Sequence, residues 1–170
     1  RPERRVIVIG IDDTDIEGSP GTNQLARLIV SRLGSIASGF IITRHQLYFD
    51  PRVPYTSGNG SASIQLPLGK QVPRGELLDR IRTVMREWYV EGSDPGLAAA
   101  ERSTPAIDAF AARAKTEVVT QEEACAVAAT AECNLEGLGG TSQGIIGALA
   151  SIALAYGGDR KSTRLNSSYT

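Results

Sequence analysis

Residues 6–15 read VIVIGIDDTD, an apolar run that ends in three carboxylates within four residues. A short β-branched run of this kind predicts a buried strand. In α/β and α+β domains, ligands bind near the ends of strands. Three neighbouring carboxylates repel one another unless a cation or a donor-rich ligand neutralises them. Asp12, Asp13 and Asp15 therefore indicate either a magnesium–phosphate site or a loop of solvated acids before the next helix.

The composition is that of an ordinary globular chain of 170 residues, 41% hydrophobic and 22% charged, with a net charge of −1. This size predicts one domain or two small ones, and the charge does not favour a nucleic-acid binder. No apolar run is long enough to predict a membrane span or a signal segment, so we expect a cytoplasmic protein. A single histidine excludes a two-histidine metal site, and Cys125 and Cys133 have no zinc spacing.

Hydrophobic periodicity and turn residues give the expected order of elements. Strands are predicted over about residues 6–11, 40–48 and 61–66, and helices over about residues 23–36, 75–90, 105–114, 121–130 and 141–156. Thr22 or Asn23 is the expected cap of the first helix and Thr141 that of the last. Val118 and Val119 belong to a strand or to a connection.

The segment that follows the acidic run is a candidate phosphate site. Gly18, Ser19 and Gly21 precede a helix, and the free amides at a helix start attract phosphate. Thr22 would add a hydroxyl, as a phosphate contact, a metal ligand or a phosphoacceptor, or it is a plain N-cap. The lysine of a Walker loop is absent.

Two further glycine-rich segments are candidates for ligand binding. Gly140, Thr141, Ser142, Gln143 and Gly144 form a second possible anion-binding loop before a helix, and Gly144 and Gly147 would let that helix pack closely on a strand or a ligand. Gly58, Asn59 and Gly60 form either a turn with reachable amides or an ordinary hairpin turn. Arg44, near a strand end, could bind phosphate.

These features occur in an order that resembles one known family. The chain is similar to the N-terminal half of the archaeal tRNA-isoleucine 2-agmatinylcytidine synthetases. The matching motifs are GIDDTD at 10–15, Thr22, Arg44, VPY at 53–55, GNG at 58–60, DPG at 94–96 and GIIGALA at 144–150.

The resemblance implies an α+β protein in which a ferredoxin-like domain is inserted into a kinase-like α/β domain. Residues 1–52 and 117–158 would form the kinase-like ATP domain, and residues 53–116 the ferredoxin-like domain. It also implies a reaction in which ATP phosphorylates a cytosine carbonyl oxygen of tRNA and agmatine then replaces the phosphate.

The resemblance also implies roles for the candidate residues. Asp12, Asp13 and Asp15 would hold magnesium and ATP, and Thr22 stands where the family has an autophosphorylated threonine. The loop and helix over residues 140–147 would close the nucleotide site. Independently of these roles, we expect Arg44, Gly58, Asn59 and Gly60 to bind the substrate.

Residues 159–170 show no apolar period, and we interpret them as a non-native tail. The OB-fold and zinc ribbon with which the family grips tRNA have no counterpart in this sequence, so we expect weak tRNA binding by this chain alone.

The prediction is therefore an ATP- and magnesium-dependent ligase-like phosphotransferase. The alternatives are a stand-alone small-molecule kinase of the same fold and a non-catalytic nucleotide-binding module.

Overall fold

A computed structural model describes residues 5–12, 21–37, 39–46, 60–68, 72–156 and 163–166. The strands are β1 (Arg5–Asp12), β2 (Ile41–Gln46), β3 (Gly60–Leu68), β4 (Gly96–Ala100), β5 (Asn134–Gly137) and β6 (Thr163–Asn166). The helices are α1 (Thr22–Leu33), α2 (Arg74–Trp88), α3 (Pro105–Ala114), α4 (Gln121–Thr130) and α5 (Ile145–Tyr156). A 3₁₀ turn, Gly34–Ala37, follows α1.

The strands form one sheet in the order β5-β4-β1-β3-β2-β6, and every neighbouring pair is antiparallel. The α+β class predicted from the sequence is confirmed. Strand β1 belongs to the predicted kinase-like domain, whereas β3 and β4 belong to the predicted ferredoxin-like domain. Strands from both predicted domains therefore pair within this sheet, since β1 lies between β3 and β4. The division into two domains stays a prediction.

The side chains of β1 divide between two hydrophobic cores. Ile7, Ile9 and Ile11 pack with residues of α1 and α2 on the first face of the sheet. Val8 packs on the second face with residues of α3, α4 and α5. Successive side chains of a strand point to opposite faces, so Gly10 and Asp12 lie on the second face with Val8.

Helix α5 lies almost in backbone contact with the sheet. A Cβ built on Gly10 would overlap the carbonyl oxygen of Ala148 and stand 3.2 Å from the Cβ of Ser151. Most of α5 is buried, and its small residues allow this close approach. Within the described part of the chain, no helix is both long and apolar enough to cross a membrane.

Two helices match their predicted bounds because local capping defines their starts. The Thr104 side chain accepts a hydrogen bond from the backbone amide of Ile107 (3.2 Å), ahead of Pro105 at the first position of α3. The Thr120 side chain accepts one from the amide of Glu123 (3.1 Å) at the start of α4. Val118 and Val119 belong to the connection between these helices.

Three strands of the sheet were not predicted from the sequence. β4 is an alanine-rich run that is buried throughout, and β5 has only four residues. β6 falls in the predicted non-native tail and pairs with β2 at the edge of the sheet. Edge pairing uses backbone groups and demands no particular side chains, so the origin of this tail stays a prediction.

Candidate active site

Asp12 is the last residue of β1 and is partly buried. It pairs with Ser61 of β3 on one side and with Gly96 of β4 on the other. A Cβ built on Gly147 would stand 2.6 Å from the Cγ of Asp12. The Asp12 carboxylate therefore rests on the first turn of α5, where the positive end of the helix dipole favours a negative charge.

The start of α5 lies directly over the paired backbones of β1 and β4. A Cβ built on Gly144 would stand 2.6 Å from the Asp12 carbonyl oxygen and 2.7 Å from the Gly96 amide nitrogen. A side chain at residue 144 would push the helix away from the sheet. The prediction that Gly144 and Gly147 allow close packing on a strand is confirmed.

The loop over residues 138–144 is hydrogen-bonded to a carboxylate of the chain itself. The backbone amide of Thr141 donates a hydrogen bond of 2.6 Å to Oδ1 of Asp94. The amide of Gly144 donates one of 2.8 Å to the Asp94 carbonyl oxygen. Gly140 and Ser142, on either side of Thr141, have φ angles of 55° and 64°. In this structure an anion, the Asp94 carboxylate, already lies against the loop that was predicted to bind one.

The predicted start of the last helix was wrong. Helix α5 begins at Ile145 rather than Thr141, since residues 138–144 form turns. The backbone amides of Ile145 and Ile146 donate to the carbonyl oxygens of Ser142 and Gln143, at 3.1 and 3.3 Å. Thr141 does not cap the helix, because it lies in the preceding turn, where its amide bonds to Asp94.

Other elements also hold this loop. The side-chain amide of Gln121, at the start of α4, donates to the Thr141 carbonyl oxygen (3.0 Å) and to Oε1 of Gln143 (2.9 Å). The ring of Tyr89 lies against Gly139, where a Cβ would stand 3.0 Å from Cζ of the ring. The loop is therefore a fixed element beside Asp12.

Buried polar side chains continue from Asp12 across the second face of the sheet. Asp12, Ser61 and His45 occupy one row, because Ser61 pairs with both of the others. The Ser151 hydroxyl is 2.7 Å from that of Ser61 and donates to the Gly147 carbonyl oxygen (2.8 Å). Nε2 of His45 is hydrogen-bonded to the Ser63 hydroxyl at 2.8 Å.

Ser61 and Ser63 of β3 were not among the predicted site residues. Their signal in the sequence is the alternation in β3, where Ser61 and Ser63 alternate with the apolar Ala62 and Ile64. Ser61 and Ser63 are both almost fully buried, on the same face of the sheet as Asp12.

The remaining predicted residues fall in several places. Thr22 is the first residue of α1 and is buried, so its expected role as the N-cap was wrong; Gly21 is the N-cap, with no side-chain capping bond. Gly60 is the first residue of β3. Arg44 is exposed and pairs with Ala62, a residue of the first core, so it lies on the face opposite to Asp12.

Several predicted residues lie outside the described residues: Asp13, Asp15, Gly18, Ser19, Gly58 and Asn59. Of the three predicted magnesium ligands, the structure describes Asp12. Across the described ranges, no three His, Cys, Asp or Glu side chains are grouped closely enough to hold a metal ion.

The same α+β fold occurs in solved structures of enzymes that act with tRNA. One is TiaS, a tRNA agmatidine synthetase, solved in a complex with an isoleucine tRNA and ATP. It is 28% identical to this chain with a TM-score of 0.71. The similarity covers 87% of this chain and 36% of that chain.

Two further structures are similar to the same extent. A tRNA fluorescent labeling enzyme is 27% identical, with a TM-score of 0.72 and coverage of 87% and 36%. TiaS in a complex with the same tRNA, AMPCPP and agmatine is 26% identical, with a TM-score of 0.70 and coverage of 86% and 36%. The chain thus spans about a third of the length of these proteins. It matches no protein-family model and no curated protein sequence.

Proposed function

We propose that this chain binds ATP with magnesium and transfers a phosphoryl group to a carbonyl oxygen, which activates that carbonyl for attack by an amine. The observation that carries the proposal is the Asp12 carboxylate, held at the end of β1 against the first turn of α5. The similarity to TiaS supports the choice of ATP, tRNA and agmatine as ligands, since TiaS has been solved with ATP, an isoleucine tRNA, AMPCPP and agmatine.

In this proposal Asp12, with Asp13 and Asp15, would hold the magnesium ion. Carboxylate oxygens are ligands that suit Mg²⁺. The metal would neutralise the charge that develops on the transferred phosphoryl group. Gly18, Ser19 and Gly21 would contact phosphates ahead of α1, with Thr22 at the first position of that helix.

The loop at residues 140–144 would close the nucleotide site by its shape. The amides of Thr141 and Gly144 already donate to Asp94, so this loop contributes a rigid wall beside Asp12. Residues 58–60 and Arg44 would contact the acceptor. Arg44 lies on the face of the sheet opposite to Asp12, so it would contact the acceptor away from the Asp12 carboxylate.

The chemistry proceeds in two steps. A phosphoryl group of ATP forms a bond to the carbonyl oxygen of the acceptor, and the nucleotide leaves. The amine nitrogen then bonds to the same carbon, the C–O bond breaks, inorganic phosphate departs, and the amine loses a proton. A carbonyl oxygen is a poor leaving group, whereas a phosphorylated oxygen is a good one. A cytoplasmic location fits a tRNA acceptor and stays a prediction.

Magnesium-dependent binding of AMPCPP, measured by isothermal titration calorimetry, tests the metal site. Asp12→Asn should weaken this binding by about 10- to 100-fold, because loss of a ligand charge costs at least as much as loss of its supporting contacts. Asp108→Asn is the matched control, since Asp108 is an exposed residue of α3 that accepts a hydrogen bond from Ser103. Unchanged affinity in Asp12→Asn, with thermal unfolding also unchanged, contradicts the site.

ATP turnover distinguishes the proposal from its two alternatives. Consumption of ATP that requires both tRNA and agmatine supports the ligase. Turnover with a small-molecule acceptor and no tRNA indicates a kinase of the same fold. AMPCPP binding without turnover in any mixture indicates a nucleotide-binding module.

A further inference from the structure

We propose that Asp94 is a positioning residue of the ATP site, which holds the first turn of α5 against Asp12; this inference rests on the proposed function. Asp94 lies in the connection between α2 and β4, two residues before Gly96. Gly96 pairs directly with Asp12. Asp94 therefore stands beside the strand end that carries the proposed magnesium ligand.

Asp94 bonds the loop before α5 at two points. Its carboxylate accepts the amide of Thr141 at 2.6 Å, and its carbonyl oxygen accepts the amide of Gly144 at 2.8 Å. Gly144 is the residue directly before α5, and it lies over the backbones of Asp12 and Gly96. The position of the helix start thus depends on Asp94.

The backbone of the loop is shaped around this carboxylate. Gly140 and Ser142 both have positive φ angles, which turn the chain so that the Thr141 amide between them points at Asp94. A Cβ built on Gly140 would stand 2.5 Å from the Ser93 carbonyl oxygen and 3.1 Å from Cγ of Asp94. A serine adopts this backbone only at a cost, so the bonds to Asp94 and Gln121 must hold it in place.

The bound carboxylate also limits where the phosphates of ATP lie. The Thr141 amide is used by Asp94, and a second anion at that amide would be repelled by the carboxylate. We therefore expect the phosphates of ATP to lie near Asp12 at the end of β1 rather than at the Thr141 amide. Asp94 contributes to catalysis through the position of α5 and Gly147.

Two variants separate position from charge. Asp94→Asn keeps an oxygen acceptor at the same place and removes the charge. Asp94→Glu keeps the charge and shifts the carboxylate by one methylene group relative to the Thr141 amide. Asp94→Ala removes both the oxygen acceptor and the charge. Asp108→Ala is the control, because Asp108 accepts a hydrogen bond of the same 2.6 Å length from Ser103.

Amide hydrogen exchange of residues 140–148, without nucleotide, is the first measurement. We expect exchange about 10-fold faster in Asp94→Ala and Asp94→Glu, because a hydrogen bond that orders the segment is lost. Asp94→Asn and Asp108→Ala should exchange like the wild type. Equal protection in wild type, Asp94→Ala and Asp94→Glu overturns the inference, and if Asp94→Ala fails to fold, the Asn and Glu variants decide.

Binding of magnesium–AMPCPP is the second measurement. The dissociation constant should rise about 10-fold in Asp94→Ala and Asp94→Glu and stay unchanged in Asp94→Asn. The reverse order, with Asp94→Asn impaired and Asp94→Glu normal, shows a role for charge and overturns positioning. If the wild type itself binds no nucleotide, the proposed function fails. If the wild type binds nucleotide and Asp94→Ala binds it equally well, only the role of Asp94 is refuted.

Discussion

The Asp12 carboxylate lies directly against the α-carbon of Gly147, with no space for a side chain between strand β1 and helix α5. Of the three predicted magnesium ligands, Asp12 is the one that the structure describes. The contact joins it to helix α5, at whose start the motif GIIGALA lies. The geometry of the proposed site therefore depends on the absence of a side chain at residue 147.

Gly147→Ala should damage both stability and nucleotide binding. The added Cβ would overlap Oδ2 of Asp12 and stand 2.6 Å from its Cγ, so either the carboxylate or the helix must move. We expect a loss of about 1–3 kcal/mol in the free energy of unfolding, as for other overpacked sites. We also expect about 10-fold weaker magnesium–AMPCPP binding. Chemical denaturation and calorimetry measure the two effects, and wild-type values in both would show that the contact is not tight.

Gly75→Ala should have the opposite effect on stability. Gly75 lies in the first turn of α2, and a Cβ built there meets nothing within 4 Å. Alanine should raise the free energy of unfolding by about 0.4–1 kcal/mol, because it reduces the freedom of the unfolded chain. AMPCPP affinity should not change. A loss of stability would contradict the open environment of this residue.

The two cysteines should differ in reactivity towards thiol reagents. Burial raises the pKa of the Cys133 thiol to about 11, while Cys125 is exposed on α4. At pH 8 the Cys133 thiol is protonated because its pKa is about 11. Since only the thiolate reacts, the exposed Cys125 should be labelled first. Labelling of Cys133 in the folded protein should accelerate as the pH rises towards 11. Peptide mapping by mass spectrometry assigns each label, and equal rates at pH 8 would argue against burial of Cys133.

The ion pair between Arg82 and Glu136 should contribute to the attachment of α2 to the edge strand β5. Nε of Arg82 is 2.6 Å from Oε1 of Glu136, and the hydrogen bond to Glu136 is the main reason that the Arg82 pKa is raised. Glu136→Gln should lower the free energy of unfolding by about 0.5–1 kcal/mol, and the loss should shrink in about 1 M salt. Thermal denaturation at low and high salt measures it.

Glu76→Gln provides the comparison for this pair. It opens the Arg80–Glu76 pair on the same helix, which is longer at 3.2 Å and half exposed on both sides. Its cost should not exceed about 0.5 kcal/mol. A larger loss here than in Glu136→Gln would contradict the ranking by burial.

Local signals in the sequence were enough to predict helices α3 and α4, because a threonine cap marks each start. The alanine-rich β4 could not be predicted in this way. It is a strand because it pairs with β1 on one side and β5 on the other, and those partners are distant in sequence. The start of α5 was misplaced for a similar reason, since Asp94 takes the Thr141 amide from 47 residues away.

The part of the candidate site that lies on strand β1 could be predicted from the sequence, and the part that depends on strand pairing could not. The position of Asp12 at the end of β1 follows from an apolar run that ends in acids. The row of Asp12, Ser61 and His45 depends on strand pairing, and no local pattern contains the register of β1, β3 and β2. The hydrogen bond between the Ser151 and Ser61 hydroxyls likewise appears only once α5 is packed on the sheet.

The alternation along β1 ties correct folding to function. Ile7, Ile9 and Ile11 fill one core, while Gly10 and Asp12 face α5. A slip of one residue in the pairing of β1 would bury Asp12 among aliphatic side chains and push an isoleucine against the helix backbone. Misregistered molecules would therefore be unstable and would also lack the contact between Asp12 and Gly147.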